Sequence, residues 1–295
     1  MQADSDIEPA CFFLCYYFAY IIYFITFAKK ISVMRNLFAL FVWTAWSCLL
    51  GLSSAPLEVG VAWDVKDGLM DDGKDGVRRN VGRSNVDPNL LLHCSLKNTV
   101  LLVRDGYVAL YSLDTHCPVY VSWELTKERV DGGVQRCKLF FADEEIGMKD
   151  RVTNNDYKGS GWSRGHMCPA ADNKDSEVRM RESCLLTNIC PQDMGLNSGR
   201  WNDLENRCRS WARKGYRVYV YCGPVFEKGR SRMMGKSVKV CVPDGFWKVV
   251  KLIDRNGKVE MKAYMFPNRD VEEKVDAFLC TVEKVEKSVG VKWGK

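Results

Sequence analysis

Apolar and polar positions divide the chain into stretches of different grammar. Residues 11–28, "CFFLCYYFAYIIYFITFA", and 37–52 are apolar without periodicity. Residues 56–89 show no period at all and are rich in Asp, Gly and Asn, which predicts a flexible linker. Beyond them the pattern turns to strands. "TVLLVRDGYVALYS" (99–112) predicts a hairpin about Arg104-Asp105-Gly106, and "CPVYVSWELT" a further strand. "YRVYVYCGPVF" (216–226) predicts a strand ended by Gly223-Pro224. "GFWKVVKLIDRNGKVEMKAYMFP" predicts a second hairpin turning at Asn256-Gly257. In "RWNDLENRCRSWARK" (200–214), Trp201, Leu204, Cys208 and Trp211 recur at three- and four-residue spacing, the stripe of a helix closed by Lys214-Gly215. A short helix before Gly290 ends the pattern. The sum is an α+β domain over 90–295: a mixed, mostly antiparallel sheet with a few helices and no internal repeat.

The apolar N-terminus changes the picture of where the chain goes. From Met34 the sequence reads as a secretory signal over 34–55, with residues 1–33 an upstream extension or mis-assigned start. That reading predicts export, periplasmic or extracellular. The alternative is a membrane anchor through residues 11–28, with Lys29, Lys30 and Arg35 on the cytoplasmic side. A lipid-modified Cys48 is a third option.

Composition adds less. The 295 residues are 46% hydrophobic and 27% charged, which excludes a disordered or fibrous chain. The net charge is +6; basic and acidic residues balance in 1–55, and 56–89 is net acidic, so positive charge gathers in the folded part. Such a surplus favours a polyanionic partner without proving one. Ten of the thirteen cysteines lie beyond the linker. The even count permits disulfides after export and leaves their pairing open, with free buried thiols the alternative. No Cys-x-x-Cys pair points to structural zinc.

The chain has three histidines. His93 and His116 each neighbour a cysteine but lack spaced partners. His166 instead sits in "SGWSRGHMCPAAD", where glycines before it and a Cys-Pro turn after it present it outside any apolar period. Asn197 precedes the long helix, and Glu205 and Arg209 lie one turn apart on it. Read locally, they are a helix cap and a surface ion pair worth a few tenths of a kcal/mol.

"SGWSRGHMCPAAD", "LTNICPQDMGLNSGRWNDLENRCRSWA" and "VYVYCGPVF" together resemble the DNA/RNA non-specific endonuclease family, whose active site is a ββα-metal motif. The similarity runs over roughly 99–293. It implies His166 as general base, Asn197 as single protein ligand of a divalent metal, and Arg164 and Arg209 beside substrate phosphates. Glu205 is implied at the metal's water shell. Arg136 and Asn188 are implied on the substrate-binding side, Asn188 helping to position these elements. The implied metal is Mg²⁺, with Mn²⁺ or another divalent cation as alternatives; no small-molecule cofactor is expected, and a homodimer is left open. The implied substrates are DNA and RNA, cut with little sequence preference. Asp172 as a second metal ligand is a minor alternative. Ser163 stands where the family has Asp, keeping a hydrogen-bonding group and losing a charge. A non-catalytic nucleic-acid-binding protein of the same fold is therefore the competing reading. Ser183 and Cys184 also depart from the family's usual residues, leaving substrate preference open.

Overall fold

The computed structural model describes residues 86–227 and 232–293, with backbone alone at 69–71 and 77–80. These all fall in one unit, Val65–Lys295. The signal, extension and anchor readings of residues 1–55 and most of the expected linker lie outside the described residues. Among the described residues no helix is long and apolar enough to cross a membrane.

The strands in chain order are β1 (Leu69–Asp71), β2 (Val77–Asn80), β3 (His93–Cys94), β4 (Thr99–Val103), β5 (Val108–Ser112), β6 (Cys117–Leu125), β7 (Ser163–His166), β8 (Ile189–Gln192), β9 (Arg217–Val225), β10 (Arg232–Met234), β11 (Val240–Val242), β12 (Gly245–Ile253), β13 (Val259–Pro267), β14 (Leu279–Cys280) and β15 (Val291–Lys292). The α-helices are α1 (Lys127–Asp131), α2 (Asn154–Tyr157), α3 (Glu177–Ser183), α4 (Met194–Ser198), α5 (Arg200–Arg213) and α6 (Val282–Val289). The main sheet runs β1-β2-β4-β5-β6-β9-β12-β13-β14. From β4 to β14 every neighbour is antiparallel, and β2 joins β4 in parallel. The fold is α+β, as the pattern predicts.

Alternation along the central strands sorts side chains onto two covered faces. Trp123, Val220, Phe246 and Val250 join one core with Trp201, Leu204, Cys208 and Ala212 of α5. Tyr120, Tyr221, Trp247 and Val249 join the other with Leu92, Val285 of α6, Val291 and Trp293. Burial on both sides is why "YRVYVYCGPVF" reads as continuously apolar. Trp201, Leu204 and Cys208 are buried and Trp211 packs at the core's edge, so the helical stripe faces the sheet. Gly290 ends α6 with φ 71°, and Gly215 follows α5 at φ 87°, both left-handed positions suited to glycine.

Two expectations change. The linker stretch contains β1 and β2, and Pro88–Leu90 forms a single 3₁₀ turn. They extend the edge of the main sheet, β1 pairing with β2 and β2 with β4. β9 also continues through Gly223-Pro224 to Val225. Pro224 lies past the last β6–β9 pair, Val121 with Cys222, so its missing N–H breaks no bond on that side.

Candidate active site

β7 and β8 form a separate antiparallel ribbon, pairing Ser163 with Gln192 and His166 with Ile189. A Cβ on Gly165 would stand 2.6 Å from Gln192 Cβ, so only glycine lets the two strands close there. α4 follows β8 directly and packs against β7, and α5 follows α4. Ribbon and helix together make a ββα unit.

His166 ends β7 and is 8% exposed. Its ring lies 5.2 Å from that of Phe140, and its Nε2 is 3.9 Å from Cys184 Sγ. Burial, with Arg136 adding to it, depresses its pKa to about 3, so the imidazole is neutral at physiological pH. Asn188 clamps the chain just beyond it. Its Oδ1 accepts from Cys168 N at 2.9 Å, and its Nδ2 donates to Cys168 O and Ser183 O at 2.8 Å. Asn188 is fully buried, so it positions the loop and does not touch substrate, a correction to the substrate-binding role implied by the resemblance. Arg164 Nη2 donates to Asn154 O at 3.0 Å, and its guanidinium lies over the Tyr157 and Phe140 rings at 5.2 and 5.6 Å. Arg136 is exposed and acts electrostatically on both His166 and Glu205.

The α5 residues are not a surface pair. The Glu205 and Arg209 side chains are 11% and 7% exposed and 3.8 Å apart. Arg209 bonds chiefly to Asp172, Nη1 to Oδ1 at 2.8 Å, and Asp172 Oδ2 accepts from Trp123 Nε1 at 3.1 Å. Both Asp172 oxygens are thereby engaged, and the residue is buried. Glu205 Oε1 faces the Lys248 Nζ at 3.8 Å. Burial raises the Glu205 pKa, while Lys248 and then Arg209 pull against it. The fully buried Lys248 Nζ has no hydrogen-bond partner and sits 4.1 Å over the Trp201 ring.

Asn197 lies inside α4, which Asp193 caps, so it is not a cap itself. It is partly exposed and its side chain makes no hydrogen bond among the described residues. Both amide atoms of buried Gln192 also lack partners. Among the described residues no group of three or more His, Cys, Asp or Glu could hold a metal. A free neutral amide suits Mg²⁺, which keeps most of its waters, and does not suit a metal that needs a closed protein cage.

The family's sequence profile, DNA/RNA non-specific endonuclease, matches residues 88–294. The chain belongs to that family. It is a nuclease, and so a hydrolase, of the non-specific endonuclease family. Human endonuclease G, named mitochondrial, is 35% identical over 201 residues, covering 64% of this chain and 67% of that protein. Human nuclease EXOG, also named mitochondrial, is 33% identical over 199 residues, covering 61% of this chain and 53% of its own length. A solved EndoG chain, from a complex with EndoGI described as showing EndoG inhibition, matches with TM-score 0.61 at 31% identity, covering 65% of this chain and 84% of that one. Members of the family typically use a divalent metal.

Within this endonuclease the structure groups His166, Arg164, Arg136 and Phe140 around the ribbon, and Glu205, Arg209, Asp172 and Lys248 beneath α5. Lys248 escaped the sequence reading, although one charge inside "GFWKVV" was its visible signal. His93 is exposed, and His116 is bound to Lys239 O at 2.8 Å and Asp150 Oδ1 at 3.4 Å. Neither joins the site.

Proposed function

We propose that the chain is a Mg²⁺-dependent endonuclease that hydrolyses phosphodiester bonds of DNA and RNA, with His166 as general base. The observation that carries this reading is the placement of His166 at the end of the ribbon strand that also carries Arg164, packed against the helix that carries Asn197. A phosphodiester is anionic and resists attack, so its site must remove a proton from water and neutralise charge on the phosphate and the departing 3′ oxygen. His166 accepts the water's proton. Arg164 and Arg136 meet the phosphate oxygens with fixed charge and forked donors. Arg209, tied to Asp172, contributes its field from below. Asn197 is the residue to hold Mg²⁺, with Glu205 toward its water shell. The bound ion supplies Lewis-acid neutralisation of the phosphate. Contacts confined to phosphate carry no base information, which fits a cut without sequence preference.

The address of the protein is part of the same proposal. Export rests on the signal pattern of residues 34–55, whereas the named relatives are mitochondrial. Fractionation of cells carrying the tagged full chain separates the two.

The deciding test gives supercoiled plasmid and single-stranded RNA to the purified full chain with Mg²⁺ or EDTA, beside His166→Ala. Degradation of both substrates, abolished by chelation and reduced ~10²–10⁴-fold by the substitution, supports the reading. A folded, DNA-binding chain that cuts neither substrate in any divalent metal would instead make Ser163 the mark of a non-catalytic binder.

A further inference from the structure

Arg164 and His166 stand two residues apart on β7, so the period of a strand sends both side chains to one face. The strand fixes their Cα atoms and leaves their rotamers open. A single ring lies against both. The Phe140 centroid is 5.2 Å from that of the His166 imidazole, tilted by 42°, and 5.6 Å from the Arg164 guanidinium carbon. Both are contact distances, for an aromatic pair and for a cation over a ring. The Tyr157 ring backs the same guanidinium at 5.2 Å. Arg164 commits Nη2 to Asn154 O at 3.0 Å, while its buried Nε has no partner among the described residues. The two rings thus fix the plane of the guanidinium without using up its donors.

Phe140 is pinned in turn by hydrogen bonds on both sides of its ring. Its carbonyl accepts from Asn154 Nδ2 at 2.7 Å. Phe141 N donates to Cys184 O at 3.0 Å, and Leu186 N donates to Phe141 O at 2.8 Å. Two residues on, Asp143 Oδ2 accepts from Arg104 Nη2 and from Thr187 Oγ1, each at 2.6 Å. Asn154 closes a circuit: its side chain holds Phe140, its carbonyl holds Arg164, and Arg164 stacks on Phe140. Phe140 is half-buried and Asn154 exposed, so neither is a sealed core residue.

We propose that Phe140, held by Asn154, is a positioning residue of the nuclease: its ring sets the His166 imidazole and the Arg164 guanidinium relative to each other, so that base and phosphate donor face one reacting centre. That role rests on the reading of His166 as general base and Arg164 as phosphate contact. Phe140 itself touches neither water nor phosphate in the reaction and acts only through those two side chains. Its loss therefore falls on the chemical step. A misplacement of about 1 Å in a reacting group is enough to lower a rate ~10²-fold, whereas ground-state binding through the remaining basic side chains persists.

The full chain, Phe140→Leu, Phe140→Tyr and Asn154→Ala are assayed on plasmid with Mg²⁺ over a range of substrate concentrations, with the thermal midpoint of each. Phe140→Leu, which keeps apolar bulk and removes the ring, is expected to lower kcat ~10–100-fold with KM little changed. Phe140→Tyr restores the ring and recovers most of that loss. Asn154→Ala gives a smaller loss of the same kind. A Phe140→Leu chain with the parent's kcat, or with a raised KM alone, overturns the proposal, as does a Phe140→Tyr chain no faster than Phe140→Leu. A second readout needs no turnover: diethyl pyrocarbonate acylates neutral imidazoles, and exposed His93 serves as the reference within each chain. Phe140→Ala is expected to speed acylation of His166 relative to His93 by at least ~10-fold, as the covering ring is lost. If the parent chain cuts no plasmid, the nuclease reading falls, and the acylation rates then decide by themselves whether Phe140 holds His166; equal rates in parent and variant say that it does not.

Discussion

Arg209 is paired with Asp172 at 2.8 Å and with its helical neighbour Glu205 only at 3.8 Å, so the stronger partner lies 37 residues away in the chain. Both members of the closer pair are buried. Removing one leaves the other as an uncompensated charge. Asp172→Ala is expected to lower stability by about 3–5 kcal/mol, read as a fall in the urea midpoint with unchanged slope. A loss below about 1 kcal/mol would mean that water reaches Arg209 freely.

Lys248 stands to Glu205 as a counter-charge with no hydrogen bond of its own. Lys248→Met keeps the volume and removes the ammonium, so burial lifts the Glu205 pKa further. The expected outcome is a fall in kcat with little change in KM, and an acid limb of kcat displaced to higher pH. Lys248→Arg should recover part of the rate. A variant whose pH profile matches the parent's would reduce Lys248 to a packing role.

The depressed pKa of His166 has a sign that can be checked in two ways. Between its unfolded value near 6.5 and its folded value of about 3, the unfolded chain binds a proton that the native chain refuses. Stability from this group is therefore full above about pH 6.5 and declines as the pH falls below it. Equilibrium unfolding from pH 8 to pH 4 should show that decline, and His166→Gln should flatten it. In the free enzyme the acid limb of kcat/KM should lie well below pH 6.5, and Arg136→Gln should move it upward, because Arg136 opposes the imidazolium.

Gly165 is the closest approach of the ribbon. Gly165→Ala forces the new methyl against the Gln192 side chain, which is itself buried among fixed neighbours. A loss of about 1–3 kcal/mol is expected from overpacking. Because the displacement falls next to His166, activity should drop even at temperatures where the variant stays folded. Circular dichroism and plasmid cleavage on the same sample check both.

The sheet was legible because its period is local. The hairpin turns at Arg104-Asp105-Gly106 and Asn256-Gly257, the α5 stripe and the glycine after α6 all follow from residues within one element. β1 and β2 were hidden because their stretches, "LMD" and "VRRN", are too short to show a period. At the site, His166 stood out in the sequence by its loop setting, although the fold buries it to 8% exposure, and Asn197 was singled out only by the family resemblance. The partners of Arg209 and Glu205 did not show, since Asp172 and Lys248 reach them across the fold. The Glu205–Arg209 spacing taken alone suggested a weak surface pair, and only tertiary burial turned it into a charged layer under the helix.

Both faces of the sheet are sealed, one by α5 and the ribbon, the other by α6 and the segment around Trp293. Among the described residues the central strands therefore offer no open β-platform on which bases could lie flat. On the proposed reading, a nucleic acid strand would meet the rim of the layer that carries His166 and be held there by its sugar and phosphate. On that reading, indifference to sequence would follow from the covered sheet as much as from the side chains beside His166.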